Sequence, residues 1–190
     1  MPNAFIIHGA YSSPQANWFP WLRTELGALG IAAIVPEFPT GERQSLDNWL
    51  AAFGEYAEVI DEGTLMVGHS IGPAFILAVL ERLDVRIPAA FLVAPFVERL
   101  GIERFDTVND TFLRLFNWER IRRNCERFYV YASDNDPYVP LEKSRSVAKK
   151  LGAELKVVPG AGHFNSDSGY LRFDLLLNDI KISLGEVGEK

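Results

Sequence analysis

Six short apolar segments recur along the chain, and most of them are closed by a glycine or a proline. They span residues 4–7, 31–35, 64–67, 89–93, 128–131 and 155–158. Continuous apolar runs of this length, bounded by such residues, are typical of strands that are buried on both faces. The pattern therefore predicts six strands in a mostly parallel sheet.

Between these segments the apolar residues follow helical spacing. Helices are predicted over 18–29, 46–57, 73–83, 140–151 and 170–182. Strands that alternate with helices predict an α/β fold whose sheet is covered by helices on both faces. Functional groups in such sheets lie at the carboxyl ends of the strands, so the residues that follow each apolar run are the candidates for a site.

Composition narrows the class of protein. The 190 residues suffice for one domain, and with 48% hydrophobic and 23% charged residues the balance is that of a globular protein. We expect a single domain over 1–190 with a loosely held tail at 183–190. The net charge of -6 argues against nucleic acid as a partner. No signal-peptide pattern or membrane-length apolar run is present, so we expect a cytoplasmic protein without a membrane partner.

Cysteine and histidine are scarce. The single cysteine, Cys125, excludes an internal disulfide and a cysteine-based zinc site. The three histidines, His8, His69 and His163, each follow or end a predicted strand. Any chemistry that depends on histidine therefore has three candidates.

The third predicted strand runs into the pentapeptide Gly-His-Ser-Ile-Gly at 68–72, and a predicted helix follows it. Glycines on both sides of a serine allow a tight turn that lifts the Ser70 hydroxyl above the end of the sheet. The backbone N–H of Ile71 then opens the next helix and can donate a hydrogen bond to an oxyanion. Ser70 is a candidate nucleophile, and a purely structural glycine-rich turn is the alternative.

Two aspartates follow the fifth strand. A histidine base needs a carboxylate that orients its ring and stabilises its positive charge. Asp136 precedes a proline, which favours an extended conformation, and we assign it this role. Asp134 could fill it instead, although it could equally brace the turn.

Glycine-rich sequence at 159–162 places His163 just after the sixth strand, in a loop that can reach a neighbouring strand end. The order Ser70, Asp136, His163 is the order that these partners take in α/β-hydrolases. His163 is therefore the candidate base, with an ordinary surface histidine as the alternative. We expect His8 to support its loop rather than act as a base, and the His69 side chain to pack sideways.

The sequence resembles the small serine hydrolases typified by retinoblastoma-binding protein 9, a compact branch of the α/β-hydrolase superfamily. The matching segments are 17–22 (Asn-Trp-Phe-Pro-Trp-Leu), 68–72, 118–121 (Trp-Glu-Arg-Ile) with 124–125, 133–137 (Ser-Asp-Asn-Asp-Pro) with 139–140, and 162–164 (Gly-His-Phe). The resemblance implies a Ser70–His163–Asp136 triad, a sheet without the leading antiparallel strands of larger relatives, and a reaction that needs no metal or cofactor.

The resemblance also implies a second oxyanion donor in the loop after the first strand. By position this donor is the backbone N–H of Ala10, with Tyr11 the next candidate. One family property is not carried over. The partner protein of the named member is bound through a Leu-x-Cys-x-Glu segment, whereas Cys125 here lies in Arg-Asn-Cys-Glu-Arg, so we expect no such partner.

The function implied is hydrolysis of a small ester or related acyl substrate through an acyl-enzyme. Residues 95–117 are too few for a separate lid domain. Aromatic residues are expected to wall a small acyl pocket, the candidates being Tyr11, Trp18, Phe112, Trp118 and Phe164, although each could equally belong to the core. The main alternative function is a non-catalytic protein-binding module on the same fold.

Overall fold

The computed structural model describes residues 2–185 and contains one sheet of six strands. The strands are β1 (Asn3–Ile7), β2 (Ala32–Ile34), β3 (Leu65–His69), β4 (Ile87–Val93), β5 (Cys125–Ser133) and β6 (Leu155–Val158). Their order across the sheet is β2-β1-β3-β4-β5-β6, and all five pairings are parallel. The predicted parallel α/β sheet is thus confirmed, and the carboxyl ends of all six strands meet at one edge.

Within the described residues, seven α-helices surround the sheet. They are α1 (Phe19–Ala28), α2 (Leu46–Phe53), α3 (Gly72–Leu80), α4 (Glu103–Asn109), α5 (Trp118–Asn124), α6 (Leu141–Leu151) and α7 (Asp174–Ser183). One apolar core joins the sheet to α2, α3, α5 and α6, and a second core on the other face joins it to α1 and α7. Every residue of β1, β3 and α3 is buried, which explains why these segments are apolar except for Asn3 and His69.

Several boundaries differ from the sequence prediction. β5 extends well beyond 128–131 because it pairs with β4 on one side and with β6 on the other. α7 begins at Asp174 rather than at Tyr170, because the N–H of Tyr170 donates to the carbonyl of Asn165 and Phe173 is not helical. The short helix α4 escaped prediction, since seven residues give too few turns to show a hydrophobic period.

The stretch between β4 and α5 contains one short helix, α4, and a single 3-10 turn, so it forms no separate lid domain. Across residues 2–185, no helix has the length and apolar character needed to cross a bilayer. The predicted loose tail begins at Ser183, which still belongs to α7, and residues 186–190 lie outside the described part of the chain.

Candidate active site

Ser70 stands at the sharp junction between β3 and α3. Its backbone φ of +62° lies in the left-handed region, which residues other than glycine rarely adopt. A Cβ on Gly68 would lie 2.8 Å from the backbone nitrogen of Pro73, and one on Gly72 would lie 2.6 Å from the carbonyl oxygen of Ile7. Both glycines are therefore required by close backbone approaches, and the turn presents the Ser70 side chain at the carboxyl edge of the sheet.

Asp136 and His163 are in direct contact. The Nδ1 of His163 lies 2.8 Å from Oδ2 of Asp136, whose side chain is only 2% exposed. The other carboxylate oxygen of Asp136 accepts hydrogen bonds from the N–H groups of Tyr138 and Val139, at 2.9 and 3.0 Å. The main chain thus fixes the carboxylate, the carboxylate fixes the imidazole, and Nε2 is the ring nitrogen left for Ser70.

The loop that carries His163 is also held by the two residues that precede Asp136. Asp134 accepts a hydrogen bond from the N–H of Gly160 at 2.8 Å, and Asn135 accepts one from the N–H of Gly162 at 2.8 Å. Asp134 therefore braces the loop after β6, whereas the role considered for it from the sequence was to brace its own turn. Three consecutive side chains after β5 bind successive parts of the loop after β6.

His69, directly before Ser70, is buried and does not face solvent. Its Nε2 lies 2.7 Å from the carbonyl oxygen of His163, and the two rings are 4.7 Å apart. Because a carbonyl only accepts, Nε2 must carry the hydrogen. Burial, with the nearby His163 as a smaller cause, lowers the pKa of His69 to about 3, so the ring is neutral. No pattern in the sequence indicates that the His69 side chain binds the loop that carries His163.

His8, the first residue of the loop after β1, is likewise buried. Its Nε2 accepts a hydrogen bond from the N–H of Phe38 at 3.1 Å, and its Nδ1 donates to the carbonyl of Gly9 at 2.8 Å. Burial lowers its pKa, which favours the neutral ring that this pattern requires. His8 therefore supports the loop, as predicted. Both of its ring nitrogens are bound to main-chain groups, so neither is available to act as a base.

The His8 contact also orients the next peptide. In a trans peptide the C=O of Gly9 and the N–H of Ala10 point in opposite directions, so holding the carbonyl fixes the N–H. A Cβ on Gly9 would lie 3.0 Å from Cβ of Ser70, which shows how closely this loop passes the serine. Within residues 2–185, no hydrogen bond uses the N–H of Ala10 or of Ile71, the residue that precedes α3.

Ser70 and His163 line the same open cavity of about 460 Å³. Of the five aromatic residues predicted as its walls, only Tyr11 lines it. The other aromatic residues of the lining are Phe105 of α4 and Tyr138. Phe105 was within reach of sequence reasoning, since it lies in the aromatic stretch after β4, whereas Tyr138 gave no signal apart from its place beside Asp136.

The remaining four aromatic residues have other positions, so their assignment to the pocket is corrected. Trp18 and Phe164 belong to the core beneath α1 and α7, where the indole N–H of Trp18 donates to the carbonyl of Phe164 at 2.9 Å. Phe112 is buried against Trp49 in the opposite core. Trp118 packs against Phe116 and Lys150 at the start of α5.

The comparisons with known proteins agree with the site geometry described above. A family model described as "Serine hydrolase" matches residues 4–181. YdeN of Bacillus subtilis (strain 168) is 32% identical over 168 residues, 87% of each chain. Serine hydrolase RBBP9 of Rattus norvegicus is 31% identical over 154 residues, 79% of each chain. The crystal structure of the ydeN gene product has a TM-score of 0.91 at 28% identity and covers 97% of this chain and 100% of that one.

Proposed function

The chain belongs to the serine hydrolase family, and we propose that it hydrolyses small carboxylic esters with Ser70 as nucleophile, His163 as base and Asp136 as the orienting acid. The observation that carries the proposal is the hydrogen bond of 2.8 Å between His163 and Asp136. Ser70, whose backbone lies in the left-handed region, lines the same cavity as His163. Family membership supports hydrolysis in general, and this geometry supports the roles of the three residues.

In the proposed reaction Nε2 of His163 takes the proton of the Ser70 hydroxyl as its oxygen attacks the ester carbonyl. The tetrahedral intermediate collapses when the bond to the alkoxide oxygen breaks and that oxygen receives the proton from His163. Water then attacks the acyl-serine with the same base, and the acid is released. Asp136 stays ionised and stabilises the imidazolium in both halves of the cycle.

The backbone N–H groups of Ile71 and Ala10 are proposed to hold the oxyanion. Their lack of partners within residues 2–185 supports this role, as does the contact through which His8 fixes the peptide before Ala10. Losing one such donor costs about 3 kcal/mol of transition-state stabilisation in comparable enzymes. Fixed backbone donors need no rearrangement during the reaction, which is why they are effective.

We expect a preference for short acyl groups. The cavity is open, no lid domain covers it, and many of its lining residues are small or polar, among them Ser12, Ser13 and Asn17. p-Nitrophenyl esters of increasing acyl length test this preference. An optimum at eight or more carbons would contradict it.

Labelling with a fluorophosphonate probe tests the proposed function itself. The wild-type protein should be labelled, and Ser70→Ala should not. The matched control is Ser13→Ala, which removes another hydroxyl from the cavity lining and should leave labelling intact. An unlabelled wild-type protein, or equal labelling of Ser70→Ala, would instead favour a non-catalytic binding module on this fold.

A further inference from the structure

Aromatic rings in the cavity form one continuous row that ends at the proposed base. Tyr11 at the mouth is 54% exposed, and its ring lies 6.1 Å from that of Phe105. Phe105 lies 5.3 Å from Tyr138, and Tyr138 lies 5.1 Å from the imidazole of His163. We call Tyr11, Phe105 and Tyr138 the aromatic wall.

Neighbouring residues hold the aromatic wall in place. The hydroxyl of Tyr11 donates to the carbonyl oxygen of Arg104 at 3.3 Å, and the Arg104 guanidinium lies 4.6 Å from the centre of the Phe105 ring. The backbone N–H of Tyr138 is bound to Asp136. Both Phe105 and Tyr138 are half-buried, so each has surface that remains open to the cavity.

The rest of the lining has a different character. Apart from the aromatic wall and the small Ala10 and Ala16, it consists of glycine, His69, the site residues and polar side chains such as Asn17, Asn165 and Asp167. An aliphatic chain would find no other large apolar surface in this cavity. A flat aromatic ring that carries hydrogen-bonding groups could pack on the aromatic wall and bind the polar side chains beside it.

The position of the aromatic wall relative to His163 indicates which side of the ester it meets. The proton that His163 returns goes to the oxygen of the departing alcohol, so this alcohol must pass beside His163. Tyr138 is the wall residue whose ring contacts His163. The alcohol portion of the substrate therefore lies next to Tyr138 and then Phe105.

This inference rests on the function proposed above. We infer that the preferred substrates are esters of aromatic alcohols, in which the ring of the alcohol packs on the aromatic wall and the carbonyl of a short acyl group lies at the Ser70 hydroxyl. The reaction stays the same: the Ser70 oxygen adds to the acyl carbon, the ester C–O bond breaks, and an arylmethanol or phenol leaves with the proton that His163 took from Ser70. Water then attacks the acyl-serine and releases the acid. Aromatic rings gain from edge-to-face or offset contacts beyond the area that they bury, so the preference should exceed that for an aliphatic ring of equal size.

Two isomeric esters separate the two sides of the substrate. Benzyl acetate carries its ring on the alcohol, and methyl phenylacetate carries the same ring on the acyl group. Cyclohexylmethyl acetate replaces the aromatic ring by an aliphatic one. The acid that is released measures the rate of hydrolysis. Each kcat/KM is divided by the rate constant for alkaline hydrolysis of the same ester, which corrects for the intrinsic reactivity of that ester. Benzyl acetate should be favoured over each of the others by about threefold to tenfold.

Substitution then links the preference to the aromatic wall. Phe105→Leu and Tyr138→Leu keep an apolar side chain and remove the ring, so each should reduce the preference for benzyl acetate over cyclohexylmethyl acetate to nearly one. Leu115→Ala, at a residue that is 96% exposed and outside the cavity, is the matched control and should keep the preference. Equal rates on the three esters, or a preference that survives both ring substitutions, would overturn the inference.

Fluorophosphonate labelling of the same samples separates this inference from the function on which it rests. If the protein is labelled but hydrolyses all three esters without preference, only the preference for an aromatic alcohol is refuted. If it is neither labelled nor active, the proposed function is refuted, and the inference is refuted with it.

Discussion

The Nε2 of His69 lies 2.7 Å from the main-chain carbonyl oxygen of His163. The residue before the proposed nucleophile thus holds the backbone of the proposed base. His69 is rigid, because it ends β3 and its ring is buried among Trp18, Phe19 and His163. The contact therefore sets the distance between two loops that are far apart in sequence.

Replacing His69 by Phe should lower kcat for ester hydrolysis. Phe keeps a ring but has no N–H, so the His163 loop loses its attachment, and a small misplacement of a reacting group can cost about a hundredfold in rate. KM should change little, because His69 makes no proposed contact with the acyl group. Steady-state kinetics on a p-nitrophenyl ester measures both quantities.

The conservative variant separates positioning from folding. His69→Gln retains an N–H donor and should recover part of kcat, while the melting temperatures of both variants report their stability. If His69→Phe keeps the wild-type kcat, the contact has no part in positioning His163.

His69 should also make stability depend on pH. Burial lowers its pKa to about 3, whereas the unfolded chain has the ordinary value of 6.5. As the pH falls below 6.5 the unfolded state takes up this proton and the folded state does not, so the free energy of unfolding decreases until the pH nears 3. One proton corresponds to a slope of about 1.4 kcal/mol per pH unit.

Urea unfolding between pH 4.5 and 6.5 measures this slope. His8, whose pKa is also lowered by burial, contributes in the same direction and remains in a His69→Gln variant. The variant should therefore show a shallower slope rather than none. A slope identical to that of the wild-type protein would mean that His69 is protonated in the folded state as readily as in the unfolded chain.

Asp136→Asn should reduce kcat through the tautomer of His163. The N–H groups of Tyr138 and Val139 need an oxygen at Oδ1, so the amide nitrogen of the asparagine would face Nδ1 of His163. Nδ1 would then accept, and Nε2 would carry a hydrogen and could not take the Ser70 proton. The equivalent change in a well-studied triad costs about 10⁴ in kcat.

The neighbouring aspartate is a matched control. Asp134→Asn keeps an oxygen for the N–H of Gly160, and Asp134 is exposed, so kcat should stay within about twofold of the wild-type value. Both rates come from the same ester assay. Equal losses in the two variants would argue against a specific role for Asp136.

The sequence predicted the fold well, and with it the common edge at which Ser70, Asp136 and His163 lie, because both depend on local pattern. A strand buried on both faces must be largely apolar, as β1 and β3 are apart from Asn3 and His69 at their ends. The glycines on both sides of Ser70 already indicate a tight turn between a strand and a helix. Parallel strands place Ser70, Asp136 and His163 at one edge without further information.

The cavity walls depend instead on packing between distant segments, which no local pattern reports. Trp18 and Phe164 look like surface aromatic residues of catalytic loops, yet they pair with each other through an indole hydrogen bond and are fully buried. Tyr138 reaches the cavity because the backbone at Asp136 turns it toward His163. The same limit applies to His69, whose partner lies 94 residues away.

Gly72→Ala should destabilise the protein strongly. A Cβ at this position would lie 2.6 Å from the carbonyl oxygen of Ile7 and 3.1 Å from that of His8, so α3 would have to move away from β1. Overpacking of this kind costs about 2–3 kcal/mol. Gly27→Ala, at an exposed position of α1, meets nothing within 4 Å and should stabilise by about 0.5–1 kcal/mol. Urea unfolding of the two variants should therefore shift in opposite directions, and a shared direction would contradict the steric argument.

Asp179 of α7 is a nearly buried carboxylate that attaches this helix to the sheet. It accepts hydrogen bonds of 2.6 Å from the hydroxyl of Tyr131 and from Nζ of Lys156. The two partners of the ion pair differ in exposure, because the Lys156 side chain is 32% exposed and that of Asp179 only 4%. Removing one or the other should therefore have unequal consequences for stability.

Lys156→Met would leave a buried carboxylate without a cation, which costs about 3 kcal/mol or more. Asp179→Asn would still accept from Tyr131, and the lysine it leaves can reach water, so the loss should be nearer about 1 kcal/mol. Free energies of unfolding in urea at neutral pH measure both values. Neither residue lines the cavity, so ester hydrolysis by the folded variants should match the wild-type protein. The order of the two losses is the decisive result: a larger loss for Asp179→Asn would show that the lysine, rather than the buried carboxylate, is the group that depends on its partner.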